Sequence, residues 1–387
     1  MPEIIDGDVV VVGSGPAGAT LAYELSRNGA LVHLIDRSVF PRYKICAGGL
    51  NAKTVTLLPF SIEPVVERVI RRMTFTCRFS DPFTQSSSDP LVYMVCRDKF
   101  DYFLVQKAVE AGAQFHPGEK ATTVRMHPHG VEVETQTHIF RAAIVAGADG
   151  ANSLVRRQLG LAPHLKLSLG LESEMALPSP VSAFSDTLYV DWGSNGDGYA
   201  WIFPKQDHLS IGAKGAFAAG EDLMKYYRAF VRRRGEVGGR WEQKCVGHPL
   251  PMRLGREPIQ RQRALVVGDA AGLIDAFSGE GIYYAIRSGQ LAAAPILQSM
   301  HHGAVDLTPY ETAVNQQIMP ELRAAYYLLQ IFRLSPMFFH KLIRDHPQAG
   351  TTLCEILRGE VTFAGVRRKL GSIFLRSPFF SWKSPHA

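Results

Sequence analysis

The pattern of apolar and small residues near the start of the chain predicts two strands joined by a helix. Four consecutive valines at 9–12 are typical of a strand that is buried on both faces. A helix is predicted over residues 17–27, with Leu21 and Leu25 on its inner side. A second strand is predicted over residues 31–35. Together these elements form a βαβ unit, which is the building block of a parallel sheet.

Later parts of the chain show two other patterns. Short stretches in which apolar and polar residues alternate predict a mixed or antiparallel sheet with one exposed face. After about residue 300, aromatic and apolar residues recur at helical spacing, so this region is predicted to be helical. The alternating stretches are 69–78, 90–96, 188–192, 200–203 and 209–213, and further strands are predicted at 143–145 and 264–267.

The composition is that of an ordinary globular protein. Of the 387 residues, 46% are hydrophobic and 20% are charged, which excludes a disordered or fibrous chain. The net charge of +6 lacks the dense basic tracts of a nucleic-acid-binding arm, so no nucleic acid partner is expected. Five cysteines without a CxxC pair indicate a reducing, cytoplasmic location, and no zinc site is expected. No signal peptide or membrane-spanning segment is expected.

A glycine-rich turn, GSGPAG at residues 13–18, follows the first strand. The first glycine permits the tight turn, the second lets a pyrophosphate approach the backbone, and the third lets the helix pack closely on the strand. The helix N-terminus then faces the phosphates. Asp36 ends the second strand, 18 residues past Gly18, where it is placed to bind ribose hydroxyls. The complete unit predicts a dinucleotide site.

Three later segments indicate which dinucleotide is bound. Arg97 opens a predicted helix, and segments 147–153 and 268–272 each follow a predicted strand. In this order they resemble the flavoproteins of the para-hydroxybenzoate hydroxylase and geranylgeranyl reductase type. The resemblance implies that the cofactor is FAD and that Arg97 touches its phosphates. It also implies that Asp149 and Gly150 support the pyrophosphate region, that Asp269 holds the ribityl chain, and that the backbone of 279–282 faces the flavin ring.

Two segments narrow the resemblance to the geranylgeranyl reductases. Residues 41–49 match the pattern P-x-x-x-x-C-x-G-G, with Cys46 as the cysteine, directly after the second strand. Residues 199–204 match Y-x-W-x-F-P, which in this family is followed by G-x-G and is associated with lipid binding. The chain departs from the family there, because Lys214 is inserted to give G-x-x-G, and this leaves the local strand geometry open.

The resemblance implies an FAD-dependent reductase that saturates the double bonds of a geranylgeranyl-type lipid or prenyl substrate. An isolated alkene is a poor hydride acceptor, so a proton donor is needed, and Cys46, Tyr43 or a water could supply the proton. The main alternative is an FAD-dependent monooxygenase or halogenase acting on an aromatic or lipid substrate. A halogenase is expected to carry a G-E-S type segment after the second strand, where this chain has the residues Cys46 to Gly49. A third alternative is a flavin-bearing electron carrier.

The electron source is left open by the sequence. No second glycine-rich turn of the nucleotide-binding type follows a strand, so a dedicated NADPH domain is not predicted. NAD(P)H and a reduced redox protein are therefore both candidate donors.

The residues expected to form the site fall into three groups, and no metal site is expected. The catalytic group is Cys46, Gly48, Gly49 and Tyr43. The substrate-binding group is Tyr199, Trp201, Phe203 and Pro204. The cofactor-binding group is Gly13, Gly15, Pro16, Ala17, Gly18, Asp36, Arg37, Lys44, Cys46, Ala47, Gly48, Arg97, Asp149, Gly150, Gly268, Asp269, Gly279, Glu280, Gly281 and Ile282.

The resulting fold class is α/β, with three regions. A discontinuous Rossmann-type FAD-binding domain is expected from residues 1–75, 97–165 and 255–300. A mixed or antiparallel substrate-binding sheet is expected from 76–96 and 166–254, and a helical C-terminal region from 301–387.

The end of the chain predicts contact with a membrane surface. Phe363, Val366, Leu370, Ile373 and Phe374 share one narrow helical face. The basic residues Arg368, Lys369 and Arg376 lie away from this face, and the aromatic residues Phe379, Phe380 and Trp382 follow it. A basic amphipathic helix with an aromatic end is typical of an interfacial anchor, here at the inner face of the membrane. The alternative is a terminal helix docked on the protein core.

Overall fold

The structure is a computed structural model that describes residues 2–176, 186–194, 196, 198–233 and 245–376, with backbone alone at 302 and 371–376. Its strands are β1 (Glu3–Asp6), β2 (Val9–Val12), β3 (Val32–Asp36), β4 (Gly49–Asn51), β5 (Val66–Ile70), β6 (Arg72–Cys77), β7 (Ser80–Ser86), β8 (Val92–Val95), β9 (Gln114–Pro117), β10 (Thr123–His127), β11 (Gly130–Glu134), β12 (His138–Ala142), β13 (Ile144–Gly147), β14 (Lys166–Ala176), β15 (Thr187–Trp192), β16 (Tyr199–Pro204), β17 (His208–Ala216), β18 (Val246–Met252), β19 (Gln260–Arg261) and β20 (Ala264–Val266). Its helices are α1 (Pro16–Ser26), α2 (Ala52–Val55), α3 (Arg97–Glu110), α4 (Leu154–Gln158), α5 (Gly220–Arg233), α6 (Ile282–His302), α7 (Thr308–Gln317), α8 (Met319–Leu334), α9 (Pro336–Asp345), α10 (Pro347–Arg358) and α11 (Phe363–Arg376).

A six-stranded sheet carries the glycine-rich turn. Its strand order is β19-β20-β13-β2-β3-β9, and every neighbouring pair is parallel except β19 with β20. The four valines of β2 are all buried, because helices cover both faces of a parallel sheet. Helix α1 packs against α3 and α6. The βαβ unit predicted from the valine run is therefore confirmed.

A seven-stranded sheet forms the second large layer, in the order β18-β14-β17-β16-β15-β6-β7. All its neighbouring pairs are antiparallel except β15 with β6, which confirms the predicted mixed sheet. Alternate residues point to opposite faces. One face is apolar and packs on α5, where Leu171 and Ile211 meet Leu223 and Tyr227. The other face, called here the inner face, is directed into the interior of the protein.

The strand positions correct one local prediction and decide the strand geometry at Lys214, which the sequence left open. The stretch 69–78 was expected to be one strand, and this was wrong. The chain leaves a three-stranded sheet of order β4-β8-β5 after Ile70 and enters the seven-stranded sheet at Arg72. Two arginines, Arg71 and Arg72, stand at the crossing. The apolar residues on either side of them favoured one strand, although this charged pair marks the break. The strand that contains Lys214 is continuous, with Lys214 opposite Tyr199 in the pairing of β17 with β16.

The C-terminal region is helical, as expected, from α6 to α11. Helix α11 begins on the core, because Phe363 is buried with Ala324 and Ala325 of α8. The carboxylate of Glu321 accepts hydrogen bonds from the backbone N–H groups of Phe363 and Ala364, at 2.8 and 3.2 Å. The aromatic residues at 379–382, on which the predicted membrane contact partly rests, lie outside the described residues, as do the side chains of 373 and 374.

Within the described ranges, none of the helices combines the length and the apolar content needed to cross a bilayer.

Candidate active site

A cavity of about 640 Å³ lies between the six-stranded sheet, the inner face of the seven-stranded sheet and the C-terminal helices. All the site residues expected from the sequence line this cavity, except Gly18, Gly268 and Pro204. Gly268 lies behind the lining, where a Cβ atom would be 3.0 Å from the Cβ of Ala17. The fold therefore brings the expected cofactor-binding, catalytic and substrate-binding residues to one continuous space.

The glycine-rich turn has the geometry that its spacing predicts. Gly13 has a φ of +99°, and a Cβ there would lie 2.4 Å from the carbonyl oxygen of Ala148. A Cβ at Gly18 would lie 1.9 Å from the carbonyl oxygen of Gly13, so only glycine allows this packing of helix on strand. The nearest atom to a Cβ placed at Gly15 would be Nη2 of Arg42, at 3.9 Å. The backbone at Gly15 is therefore open to a ligand from the cavity side.

Asp36 fixes this turn to the end of β3. Its carboxylate accepts hydrogen bonds at 2.8 Å from the backbone N–H and the hydroxyl of Ser14, and from the backbone N–H of Ser38. The side chain also lines the cavity. Its expected contact with ribose remains a prediction. That contact would use the lone pairs of the carboxylate that these three hydrogen bonds leave free.

Two arginines share one buried carboxylate beside the turn. Asp101, on α3, pairs with Arg97 through two bonds of 2.7 and 2.9 Å, and with Nη2 of Arg42 at 2.9 Å. The other terminal nitrogen of Arg42, Nη1, is buried and has no hydrogen-bond partner among the described residues. A buried guanidinium with a free donor next to Gly15 suits a phosphate oxygen.

The two aspartates of the later motifs differ in their surroundings. Asp149 accepts hydrogen bonds from the Ser153 hydroxyl and from the backbone N–H of Leu154, so it also caps the start of α4. Asp269 lines the cavity, and no described residue donates a hydrogen bond to its carboxylate. Burial raises the pKa of Asp269, and the nearby cations Lys44 and Arg97 oppose that shift. An acceptor left free in this way fits the hydroxyl groups of a ribityl chain.

The loop before α6 is held to the seven-stranded sheet by two side chains. Tyr199 donates its hydroxyl hydrogen to the carbonyl of Ser278, and the ammonium of Lys214 donates to the carbonyl of Ala276. Gly279 has a φ of +74° and lies over Lys214, where a Cβ would be 3.1 Å from Cδ. The backbone N–H groups of Gly279 and Glu280 donate within the loop, to Asp275 and Ser278. The N–H groups at the start of α6 are therefore the ones that suit the oxygen atoms of a flavin ring.

Glu280 in this loop forms an ion pair with Lys53, at 2.9 Å. The hydroxyl of Thr54 also donates to it, at 3.2 Å. Burial raises the pKa of Glu280 and Lys53 opposes the shift. This pair ties the loop to α2.

The cysteine segment, residues 41–49, lies in the cavity next to the seven-stranded sheet. On its other side are the residues that suit the cofactor, called here the cradle: the glycine-rich turn, Asp36, Arg97, Asp269 and the loop before α6. The backbone N–H of Gly48 donates to the sulfur of Cys46 at 3.4 Å. The buried ammonium of Lys205 donates to the carbonyl of Ala47 at 2.6 Å and to that of Val95, which ties the segment to β8. A Cβ at Gly48 would lie 2.1 Å from the Val95 oxygen. The segment is thus fixed by backbone contacts that larger residues would prevent.

Basic groups cluster beside Cys46. The ammonium of Lys44 is 2.8 Å from Nε2 of His248. Burial, followed by the charge of Arg97, lowers the pKa of Lys44 to about 8. Burial, followed by Lys44, lowers the pKa of His248 to about 4. Tyr43 lies at the cavity margin and is 59% exposed, and its partial burial raises its pKa.

The part of the cavity bounded by the inner face of the seven-stranded sheet and the C-terminal helices is called here the chamber. Tyr199, Trp201 and Phe203 occupy alternate positions of β16 and face it in a row, with ring centroids 5.7 and 6.1 Å apart. Pro204 is not part of the lining. The chamber is otherwise walled mainly by apolar side chains, among them Phe75, Leu188, Val190, Leu353, Leu357 and Phe363.

The residues present fit FAD, on the basis of the open backbone at Gly15, the free donor of Arg42 and the free carboxylate of Asp269. Sequence reasoning missed Arg42 and Lys53, and it treated Lys214 only as an insertion. Arg42 could have been found, because it is a cation inside the cysteine segment. The positions of Lys53 and Lys214 relative to the loop before α6 had no local signal. The described residues contain no cluster of histidine, cysteine and acidic side chains suited to a metal.

Comparison with known proteins identifies the chain as a flavoprotein. The FAD binding domain family matches residues 6–182. An uncharacterised protein of Methanosarcina barkeri is 30% identical over 383 residues, which is 98% of each chain. The geranylgeranyl diphosphate reductase of Synechocystis is 28% identical over 352 residues, which is 84% of each chain.

Solved structures share the fold. A geranylgeranyl bacteriochlorophyll reductase-like protein of Thermoplasma acidophilum has a TM-score of 0.79 and 22% identity, covering 97% of both chains. The flavin-dependent brominase Bmp2 has a TM-score of 0.77 and 19% identity, covering 96% of this chain and all of its own. The fold alone is therefore compatible with more than one flavin chemistry. The sequence relatives, together with the cradle and the cysteine segment, show that the chain belongs to the geranylgeranyl reductase-like family of FAD-dependent oxidoreductases.

Proposed function

We propose that the protein reduces carbon–carbon double bonds of a geranylgeranyl-type isoprenoid, carried by a lipid or prenyl compound. The observation that carries this proposal is the continuity of the cavity. The cradle expected to hold FAD opens, past Cys46, directly into a chamber walled by aromatic and apolar side chains. A long hydrocarbon chain would bury its surface there, at about 25 cal/mol per Å² of apolar area.

The residues around the chamber suit the chemistry of an isolated alkene. Bound and reduced, FAD would supply a hydride. The alkene must also receive a proton, which leaves positive charge on the more substituted carbon. The ring faces of Tyr199 and Trp201 stabilise such a charge by about 2 kcal/mol or more in a site without water. We assign Cys46, Gly48 and Gly49 to the boundary between cofactor and substrate, where small residues allow close approach.

A monooxygenase or halogenase is the second candidate, because the brominase shares the fold. The two chemistries differ in their need for oxygen. The test is turnover of dithionite-reduced holoenzyme with geranylgeranyl lipids, with the product analysed by mass spectrometry. A product that gains two hydrogen atoms per double bond without oxygen supports the reductase. A product that gains oxygen, and only in air, supports the alternative.

We also infer that the electron donor is NAD(P)H or a reduced redox protein that reaches bound FAD without a nucleotide domain of its own in this chain. Anaerobic mixing with NADH or NADPH distinguishes the two. Rapid bleaching of the flavin absorbance supports direct reduction by the nucleotide, and unchanged absorbance supports a redox protein.

Peripheral binding to an anionic membrane through α11 is a further part of the proposal. Arg367, Arg368 and Lys369 are exposed on this helix, and the Arg367 guanidinium lies 4.9 Å from the ring centre of Tyr327 on α8. Each basic residue near an anionic surface contributes about 1 kcal/mol. Because Phe363 lines the chamber, a membrane contact at α11 would bring the lipid close to its binding site.

A further inference from the structure

The inner face of the seven-stranded sheet changes from apolar to polar across its width. Strand β15 presents Leu188 and Val190 to the cavity, and β16 presents its aromatic row. Farther on, β14 presents Glu172, whose side chain lines the cavity and is only 3% exposed. None of the assignments above uses this carboxyl group.

Glu172 is connected to the aromatic row by two hydrogen bonds. The hydroxyl of Ser210 donates to Oε1 of Glu172 at 2.6 Å, and the indole N–H of Trp201 donates to the same hydroxyl at 3.3 Å. Since Oε1 accepts, Oε2 is the oxygen available to carry a proton. The bonded chain therefore fixes the orientation of the carboxyl group relative to Trp201.

The strand register brings the carboxyl group and the indole ring side by side. Gly212 lies opposite Glu172 on one side and opposite Trp201 on the other. A Cβ at Gly212 would lie 2.1 Å from the six-membered ring of Trp201, so the indole covers this glycine and extends toward Glu172. An alkene placed against the indole face would lie beside the carboxyl group.

The surroundings keep this group partly protonated near neutral pH. Burial is the main cause, and it raises the pKa of Glu172 to about 7. The hydrogen bond from Ser210 and the charges of Lys205 and Arg97 oppose the shift, and Glu174 adds to it. Other titratable groups also interact with Glu172. They are Tyr43 on the cysteine segment, Tyr227 on α5, and Cys245, which is the residue before β18.

We propose that Glu172 donates the proton to a prenyl double bond bound against Trp201. This inference rests on the reductase function proposed above. The O–H bond of the carboxyl group breaks and a C–H bond forms at the less substituted carbon. Reduced FAD, when bound, would supply the hydride with its electron pair to the tertiary cation and would be oxidised in doing so. The carboxylate left behind and the indole face both stabilise the cation, and Glu172 regains its proton from water.

The kinetic test compares Glu172→Gln with the wild type. Reduced holoenzyme is mixed anaerobically with a geranylgeranyl lipid, and the rate of flavin reoxidation is followed as a function of pH. The wild-type rate should fall as the pH rises through about 7, because the acid form is required. Glu172→Gln should lower the rate by roughly 10²–10⁴-fold and lose this pH dependence. The matched control is Glu174→Gln, an exposed acid on the same strand, which should keep the rate and move the pH dependence only slightly downward.

A second measurement does not need turnover. In wild-type protein without substrate, an infrared band of a protonated carboxyl group should disappear as the pH rises through about 7, and Glu172→Gln should lack it. Folding stability should depend on pH in the same direction. A carboxyl with a raised pKa stabilises the folded state fully below its unfolded value of about 4.5 and loses that contribution as the pH rises through about 7. Raising the pH from ~5 to ~8 should therefore lower the thermal midpoint of the wild type more than that of Glu172→Gln.

The outcomes are distinct. A Glu172→Gln enzyme with wild-type rate and pH dependence would overturn the donor role and leave the reductase proposal standing. A wild type that reduces no prenyl lipid would overturn both. Should Glu172→Gln fail to fold, Ser210→Ala serves instead. It removes a bond that lowers the pKa of Glu172, so it should move the pH dependence upward, and an unchanged dependence would count against the donor.

Discussion

The cofactor cradle and the chamber lie in one cavity but are built in different ways. The cradle consists of short contiguous segments, most of them at the ends of parallel strands. Its fit to FAD depends on the open backbone at Gly15 and on the side chains of Arg42 and Asp269. The chamber is made of side chains at alternate positions on several strands, closed by helices from the far end of the chain. A cradle of this kind is compatible with many substrates, as the shared fold of the brominase illustrates. Specificity must therefore be sought in the chamber.

Glycine has a different role in each region. In the cradle, Gly13 and Gly18 let backbone segments pack against each other. In the chamber, Gly212 makes room for an aromatic ring that we propose contacts the substrate. Substitutions in the two regions should consequently separate cofactor binding from turnover.

The largest effect on cofactor binding is expected from Asp269→Ala. Losing a hydrogen-bonded charged anchor costs about 1.5–3 kcal/mol, so the affinity for FAD should fall by about 10–100-fold. Equilibrium titration of apoprotein with FAD measures this. The control is Asp222→Ala, an exposed acid on α5. Unchanged affinity for FAD in Asp269→Ala would show that the assignment to the ribityl chain is wrong.

Gly212→Ala should impair turnover instead of cofactor binding. The new methyl group would meet both the indole of Trp201 and the carbonyl oxygen of Leu171, so it should displace the ring and locally disturb the pairing of β17 with β14. Turnover should therefore fall by about tenfold or more, while bound FAD is retained. Gly220→Ala is the matched control, because the nearest atom to its Cβ would be 3.6 Å away, on the side of the sheet that faces α5. Equal activity of the two variants would contradict the placement of substrate on Trp201.

Cys46→Ala tests whether the boundary cysteine is itself the acid. With Glu172 as the donor, FAD should stay bound, turnover should fall by less than about 100-fold, and the pH dependence should be that of the wild type. A loss of 10²–10⁴-fold together with an altered pH dependence would instead assign the proton to the thiol. Cys46→Ser separates the packing of the residue from its chemistry.

Membrane binding should show the smallest effect. Arg368→Glu places a negative charge on the exposed side of α11, and binding to anionic liposomes at low salt should weaken by about fivefold or more. Lys225→Glu, on α5, makes the same change of charge elsewhere and should leave sedimentation unchanged. If full-length protein does not bind such liposomes at all, the membrane proposal fails and α11 belongs only to the core.

The contrast between the two regions also explains what the sequence could predict. The valine run, the glycine spacing and Asp36 are local signals, and they led directly to the βαβ unit and to a dinucleotide site. FAD followed from the family resemblance of the later segments. Glu172 escaped notice because its value as a donor depends on Ser210 and Trp201, which only the strand register brings together. The helical wall with Leu353 and Leu357 was missed for a related reason, since an amphipathic helix does not indicate which cavity its apolar face will close.

The central claim, reduction of a prenyl double bond, is tested most directly by a single anaerobic turnover. Stoichiometrically reduced holoenzyme is mixed with a geranylgeranyl lipid, and the flavin spectrum and the product mass are recorded together. We expect flavin reoxidation without oxygen to be matched by a product with two more hydrogen atoms for each flavin oxidised. Flavin that stays reduced until air is admitted, followed by a product that contains new oxygen, would contradict it.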